Sequence, residues 1–142
     1  MPAVIRRLAN FIRQEEGSAT IESLLWIPLL FSVLLLGLDV SLISTKQAMV
    51  MRIIQDNNRS YALGRYDRPD WTDKQSEGVI EGTIRNSIAS ISPGAKVNAE
   101  IAPDGSITTR VDMPASDLSS FGLLPNWEQM NIVVALQHTK EF

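Results

Sequence analysis

The chain has 142 residues, enough for one domain and a membrane anchor but too few for two globular domains. Its 13 Lys and Arg against 16 Asp and Glu give a net charge of −3, which does not indicate nucleic-acid binding. Cysteine is absent, so disulfide bonds and thiolate chemistry are excluded.

A basic N-terminal region precedes a long apolar segment. The region is basic at three positions: Arg6, Arg7 and Arg13. No charge occurs in the range 23–38, and the apolar segment 21–44 would form about 24 residues of helix, roughly 36 Å, which covers a hydrocarbon core of about 30 Å. The positive-inside rule places the N-terminus in the cytoplasm. We therefore predict one transmembrane helix at 18–45, with residues 46–142 outside the membrane.

Two other interpretations of the apolar segment stay open. A buried core helix is rarely apolar on every face in so small a protein. A cleaved secretory signal needs a small-x-small site after the apolar residues, which the sequence from Leu38 to Ser41 does not supply well. We expect Asp39, near the far end of the span, to lie at the level of the lipid headgroups and not in a buried site.

Pro28 lies inside the predicted span. Because proline has no N–H, the carbonyl of Leu24 loses its helical partner, which predicts a kink or local melting. The residue is either an ordinary proline of a membrane helix or a flexible point that helps the helix pack into a fibre.

Gly17, Ser18 and Glu22 form a candidate processing and assembly site. If a peptidase cuts after Gly17, Ser18 begins the mature chain with a charged α-amine. Glu22 lies one helical turn further on, so its carboxylate can pair with that amine or with the amine of a neighbouring subunit. The alternative is a solvated carboxylate that stabilises the start of a helix.

The sequence Glu-Glu-Gly-Ser-Ala-Thr-Ile-Glu-Ser-Leu-Leu-Trp-Ile-Pro-Leu-Leu, residues 15–30, resembles the N-terminal signature of TadE-like proteins. These are minor pilins, or pseudopilins, of the tight-adherence (Flp, type IVc) pilus. The close match covers about residues 15–38. In this family a Gly-x-x-x-x-Glu site precedes the apolar segment, so the resemblance implies that a prepilin peptidase removes residues 1–17. Ser23 stands where major Flp pilins usually carry Tyr, and about a hundred residues follow the span, which indicates a minor subunit.

The resemblance also implies partners and a function. The expected partners are a second, TadF-like minor pilin, the major Flp pilin, the prepilin peptidase, the pilus platform of the bacterial inner membrane, and membrane lipid. The expected function is assembly of tight-adherence pili for surface adhesion and biofilm formation. The alternative is a membrane-anchored periplasmic domain that binds or scaffolds and does not enter a pilus.

The residues after the span predict two helical stretches. The first helix should continue to about Leu63, where Gly64 ends it. A second should start near Thr72, with Thr72 and Gln75 forming a capping box. Its apolar stripe consists of Ile80, Ile84, Ile88 and Ile91. We expect close packing to explain the two glycines inside it, Gly78 and Gly82.

Alternation of apolar residues predicts about three antiparallel strands near 97–101, 107–113 and 130–138, the first two joined by the turn Pro103–Ser106. The predicted fold class is α+β: a pilin-like long N-terminal transmembrane helix that extends into a small head with a second helix and this sheet.

The sequence gives no basis for an enzyme. The only histidine, His138, lies near a predicted strand end and is expected to be a surface or edge residue. There is no Cys/His cluster, phosphate-binding glycine loop or nucleophile elbow, so no metal site and no cofactor are predicted.

Overall fold

The computed structural model describes residues 16–66, 68–122 and 129–139, with side chains from residue 21 onward. The elements are α1 (Glu16–Ala62), α2 (Asp73–Ile88), β1 (Lys96–Ile101), β2 (Ile107–Pro114), α3 (Ala115–Leu118) and β3 (Asn131–His138). The chain divides into two compact units between Gly37 and Leu38, inside α1. The predicted α+β class is confirmed: a long N-terminal helix, a second helix and a three-stranded antiparallel sheet.

The C-terminal part of α1 forms one wall of the hydrophobic core of the second unit. Its buried apolar residues recur at helical spacing: Ile43, Val50, Ile54 and Tyr61. The helix ends at Ala62, one residue before the predicted end. Gly64 has a φ of 73°, and its N–H donates to the Tyr61 carbonyl at 2.8 Å. A left-handed residue there closes the last turn, and glycine adopts it without strain.

The helix α2 begins as the sequence predicts, and three of the four residues of its predicted apolar stripe lie on it. Ile91, the fourth, follows the end of the helix at Ile88 and is half-buried. The Thr72 N–H donates to Gln75 Oε1 at 2.9 Å, and Ile80, Ile84 and Ile88 are fully buried. The expectation for the two glycines is wrong. A Cβ added at Gly78 or Gly82 would meet no atom within 4 Å, so close packing does not explain either residue.

The three strands pair in the order β1-β2-β3, with Thr109 of β2 opposite Ala99 on one side and Leu136 on the other. Alternate side chains of β2 enter the core: Ile107, Thr109, Val111 and Met113. Asn58 of α1 joins the helix to this sheet. Thr109 Oγ1 donates to Asn58 Oδ1 at 2.7 Å, and Asn58 Nδ2 donates to the Leu136 carbonyl at 3.4 Å. The buried polar groups are thereby satisfied.

Side chains of α2 cover the outer edge of β1. Glu81 accepts a hydrogen bond from the Ala99 N–H at 2.9 Å, and Glu77 accepts one from the Ile101 N–H at 2.8 Å. Unpaired N–H groups on an edge strand otherwise offer a template for pairing with another chain. The two carboxylates therefore close this edge.

Candidate functional site

The predicted processing bond, between Gly17 and Ser18, lies within α1. The described part of this helix starts at Glu16, so the backbone of both residues is helical. The side chains of residues 16–20 lie outside the described residues, so the predicted roles of Gly17 and Ser18 stay predictions.

Glu22 is exposed and lies four residues after Ser18 in the same continuous helix. Residues at this spacing share one face of a helix. Among the residues that the structure describes, no hydrogen bond or ion pair to the Glu22 carboxylate is present. The carboxylate is therefore free to pair with a group from another molecule or with the amine that processing would create at Ser18.

A shallow groove of about 450 Å³ lies beside Glu22. Its lining is otherwise mainly apolar: Ser23, Trp26, Ile27 and Leu30 join Glu22 there. A single carboxylate at the end of an apolar groove provides one charged contact and a larger apolar contact on the same helix face. This arrangement suits packing against another helix.

Pro28 does not interrupt α1, which is helical from Glu16 to Ala62. The expectation of local melting is therefore wrong, and the kink stays a prediction. Ser32 Oγ donates to the Pro28 carbonyl at 2.8 Å. A serine hydroxyl that bonds to the carbonyl four residues earlier often bends a helix slightly. The Ser32 bond therefore acts one turn after the Leu24 carbonyl, which the proline leaves without its helical partner.

The apolar part of α1 exposes its side chains to its surroundings. Exposed fractions lie between 52% and 72% for its large residues from Ile21 to Leu34: Ile21, Leu24, Leu25, Trp26, Ile27, Leu29, Leu30, Phe31, Val33 and Leu34. In the most apolar 18-residue window only 11% is buried. The helix is long and apolar enough to cross a membrane, although a signal sequence passes the same test. The core helix of a soluble protein is mostly buried, so this exposure argues against that interpretation of the segment.

Asp39 is a buried polar residue whose surroundings sequence reasoning missed. Only 4% of it is exposed, so the expectation that Asp39 does not lie in a buried site is wrong, while its position at the headgroup level stays a prediction. Ser119 Oγ donates to Asp39 Oδ2 at 2.6 Å, and the backbone N–H of Ser120 donates to Oδ1 at 2.7 Å. The Phe121 N–H reaches Oδ1 at 3.3 Å. We call residues Ser119–Gly122 the clamp loop, because three of its donors hold one carboxylate of α1.

Further hydrogen bonds hold the clamp loop and the residues just before it. The Gly122 N–H donates to Ser119 Oγ at 2.7 Å, and Gly122 has a φ of 59°, which favours glycine. About two turns further along α1, Lys46 Nζ donates to the Asp117 carbonyl at 3.1 Å. The Asp117 carboxylate accepts bonds from Ser92 Oγ at 2.7 Å and from the Gly94 N–H at 2.9 Å. The segment after β2 is thus tied both to α1 and to the turn after α2.

A second groove, of about 380 Å³, lies between α1 and the end of β3. Its lining is mostly polar: Gln55, Asp56, Asn58, Arg59, Leu136, Gln137 and His138. His138 is half-buried at the last position of β3, as a residue at a strand end. Within the described residues, no group of three or more His, Asp or Glu side chains is placed to hold a metal ion.

The architecture defines a pilin-like chain: a long apolar N-terminal helix followed by a small head of helices and sheet. Comparisons of the chain with models of protein families, with curated proteins and with solved structures found no match.

Proposed function

We propose that this protein is a minor pilin, or pseudopilin, of a tight-adherence pilus. One observation supports the proposal above the others. The helix α1 is continuous and has exposed aliphatic side chains in its N-terminal part, where Gly17 and Glu22 lie. Its C-terminal part contributes to the core of the head. A subunit that is stored in a membrane and later packed into a fibre needs this combination. Its role is structural and not catalytic.

Glu22 is the residue that we assign to assembly. A desolvated, unpaired ammonium costs several kcal/mol, so a subunit amine buried in a fibre needs a carboxylate partner. The exposed Glu22 carboxylate beside its apolar groove can supply that partner to a neighbouring subunit. The pairing would favour one axial register between adjacent helices. The partners would be a second minor pilin, the major pilin and the inner-membrane platform.

Blocking the processing step tests the proposal. In Gly17→Val the bulky side chain should clash in a peptidase cleft, so the full-length chain should accumulate in the membrane and surface pili should be lost. Gly37→Val is the matched control. Gly37 also lies on α1, and a Cβ added there would meet no atom within 4 Å. It should be processed normally. Immunoblot mobility and pilus counts by electron microscopy measure both effects.

Normal mobility of Gly17→Val would contradict the proposed processing. An unprocessed wild-type chain that is still inserted in the membrane would instead support a membrane-anchored periplasmic binding or scaffold domain. The groove beside His138 gives this second function a physical basis, because it offers polar groups from both α1 and β3.

A further inference from the structure

The clamp loop lies at the end of the uncharged run of α1. Asp39 follows that run directly, and the Phe121 N–H is 3.3 Å from its carboxylate. This part of the head therefore lies beside the residue that follows the uncharged run. Position along a helix rises by about 1.5 Å per residue, so residues 21–38 account for roughly 27 Å, close to the thickness of a hydrocarbon core.

The clamp explains how an acid is tolerated at this level. A carboxylate at the edge of the hydrocarbon region is costly unless other groups replace its water. Here three donors of the clamp loop replace water, and the residue is buried by protein. Where α1 passes from lipid to water at Asp39, the clamp loop lies at that boundary too, because its donors contact this carboxylate.

Phe121 is 46% exposed, although it is a large apolar residue in the head. Leu38 and Leu42, on the turns of α1 beside Asp39, are also exposed, at 48% and 40%. In helices that lie on a membrane, Phe and Leu side chains insert into the boundary between headgroups and acyl chains. The occupant that fits this surface is lipid, because Leu38 is the last residue of the uncharged run and the Phe121 N–H donates to Asp39, the next residue.

We propose that the clamp loop is a membrane-contact surface and that Phe121 inserts into the headgroup region of the bilayer that α1 crosses. The inference rests on the membrane-anchored part of the proposed function. It adds a second contact with lipid, on the head, 82 residues after Asp39 in the chain.

Depth-dependent fluorescence quenching tests the inference in the full chain. The protein has no cysteine, so a single cysteine carries one environment-sensitive probe. Ser120→Cys places the probe in the clamp loop and leaves Phe121 intact. Thr108→Cys, on the exposed outer face of β2, is the control on the head, and Leu30→Cys is the control within the span. The chains are reconstituted in phosphatidylcholine and phosphatidylglycerol vesicles with spin-labelled lipids.

We expect a shallow quencher to lower emission from the Ser120 probe about twofold and to leave the Thr108 probe nearly unchanged. Adding Phe121→Ser should abolish the quenching of the Ser120 probe. If the Leu30 probe is quenched by a deep spin label while the Ser120 probe behaves like the Thr108 probe, the inference is overturned and the anchor stands. If the Leu30 probe is not quenched either, the membrane anchor itself is wrong.

Two variants of Asp39 provide an independent test in the same experiment. With the probe at Ser120, Asp39→Ala should release the loop and remove the shallow quenching. Asp39→Asn keeps one oxygen for the N–H groups of Ser120 and Phe121, and its amide can donate to Ser119 Oγ, so quenching should persist. Equal quenching in both variants would contradict a role of the clamp in holding the loop at the membrane.

Discussion

Loss of the Asp39 carboxylate should destabilise the head through the clamp loop. In Asp39→Ala, two backbone N–H groups and the Ser119 hydroxyl lose their acceptor. A hydrogen bond to a charged group contributes about 1.5–3 kcal/mol, but the freed donors of the exposed residues Ser120 and Phe121 can reach water. We therefore expect a net loss of about 2–3 kcal/mol in the free energy of unfolding.

Two variants distinguish the loss of the hydrogen bonds to the clamp loop from the loss of a carboxylate in general. Asp39→Asn preserves the shape and most of the hydrogen bonds, so its cost should be about 1 kcal/mol or less. Asp112→Ala removes an acid from the sheet surface, where the ion pair with Arg110 is 3.1 Å long and the Arg110 side chain is 56% exposed. Exposed pairs of this kind contribute about 0–1 kcal/mol.

Hydrogen–deuterium exchange of the slowest amides in β2, such as that of Val111, measures these differences in micelles or nanodiscs. The predicted order of destabilisation is Asp39→Ala, then Asp39→Asn, with Asp112→Ala close to wild type. Equal exchange in Asp39→Ala and Asp112→Ala would refute the reasoning, because the three donors would then contribute nothing to stability.

Further predictions concern assembly, packing, pH and topology. Glu22→Ala should insert and be processed normally but lose surface pili and crosslinks to partner pilins, while Glu22→Asp should keep part of both. Gly82→Ala should stabilise the head by about 0.5–1 kcal/mol in urea unfolding, because alanine is the better helix former. Gly94→Ala should destabilise it, since its Cβ would lie 3.1 Å from both Asp117 Oδ2 and Pro114 Cγ. The stability difference between wild type and Asp104→Asn should shrink as pH falls below about 4. Alkaline phosphatase fused after Phe142 should be active.

The physical reason for the pH effect is local. Hydrogen bonds from the Ser106 hydroxyl and N–H lower the pKa of Asp104 below its ordinary value. A lowered pKa in the folded state stabilises the head above the unfolded pKa, and this contribution is lost as pH falls through the folded pKa. A constant difference between wild type and Asp104→Asn across that range would contradict it.

Other outcomes would contradict the remaining predictions. Wild-type pili in Glu22→Ala cells would leave Glu22 as a carboxylate that only stabilises a helix start. A loss of stability in Gly82→Ala would mean that the open space at this position is filled by another group. An inactive phosphatase fusion, with a comparable reporter active in the cytoplasm, would refute the topology.

Local sequence patterns predicted most of the helices and strands, because interactions between residues near each other in the chain determine them. Gly64 ends α1 through its left-handed backbone, and the Thr72–Gln75 pair starts α2. The alternation in β2 separates core from surface, including Thr109, whose hydroxyl finds Asn58. Each of these signals lies within a few residues of the structure that it produces.

The parts that the sequence did not predict depend on distant contacts. Asp39 meets Ser119–Phe121, about 80 residues later, in a loop without periodicity. The available signal was an acid directly after an uncharged run, which needs a partner if it is not solvated. The empty space beside Gly82 likewise depends on how other elements pack, because a glycine in a sequence gives no measure of the room around it.

The central claim is that this chain is a processed subunit of a surface fibre. Mass spectrometry of the intact protein from sheared surface fibres and from the membrane fraction tests it most directly. We expect a chain in both fractions that begins at Ser18 with a free α-amine. A chain that retains residues 1–17 and occurs only in the membrane fraction would contradict it.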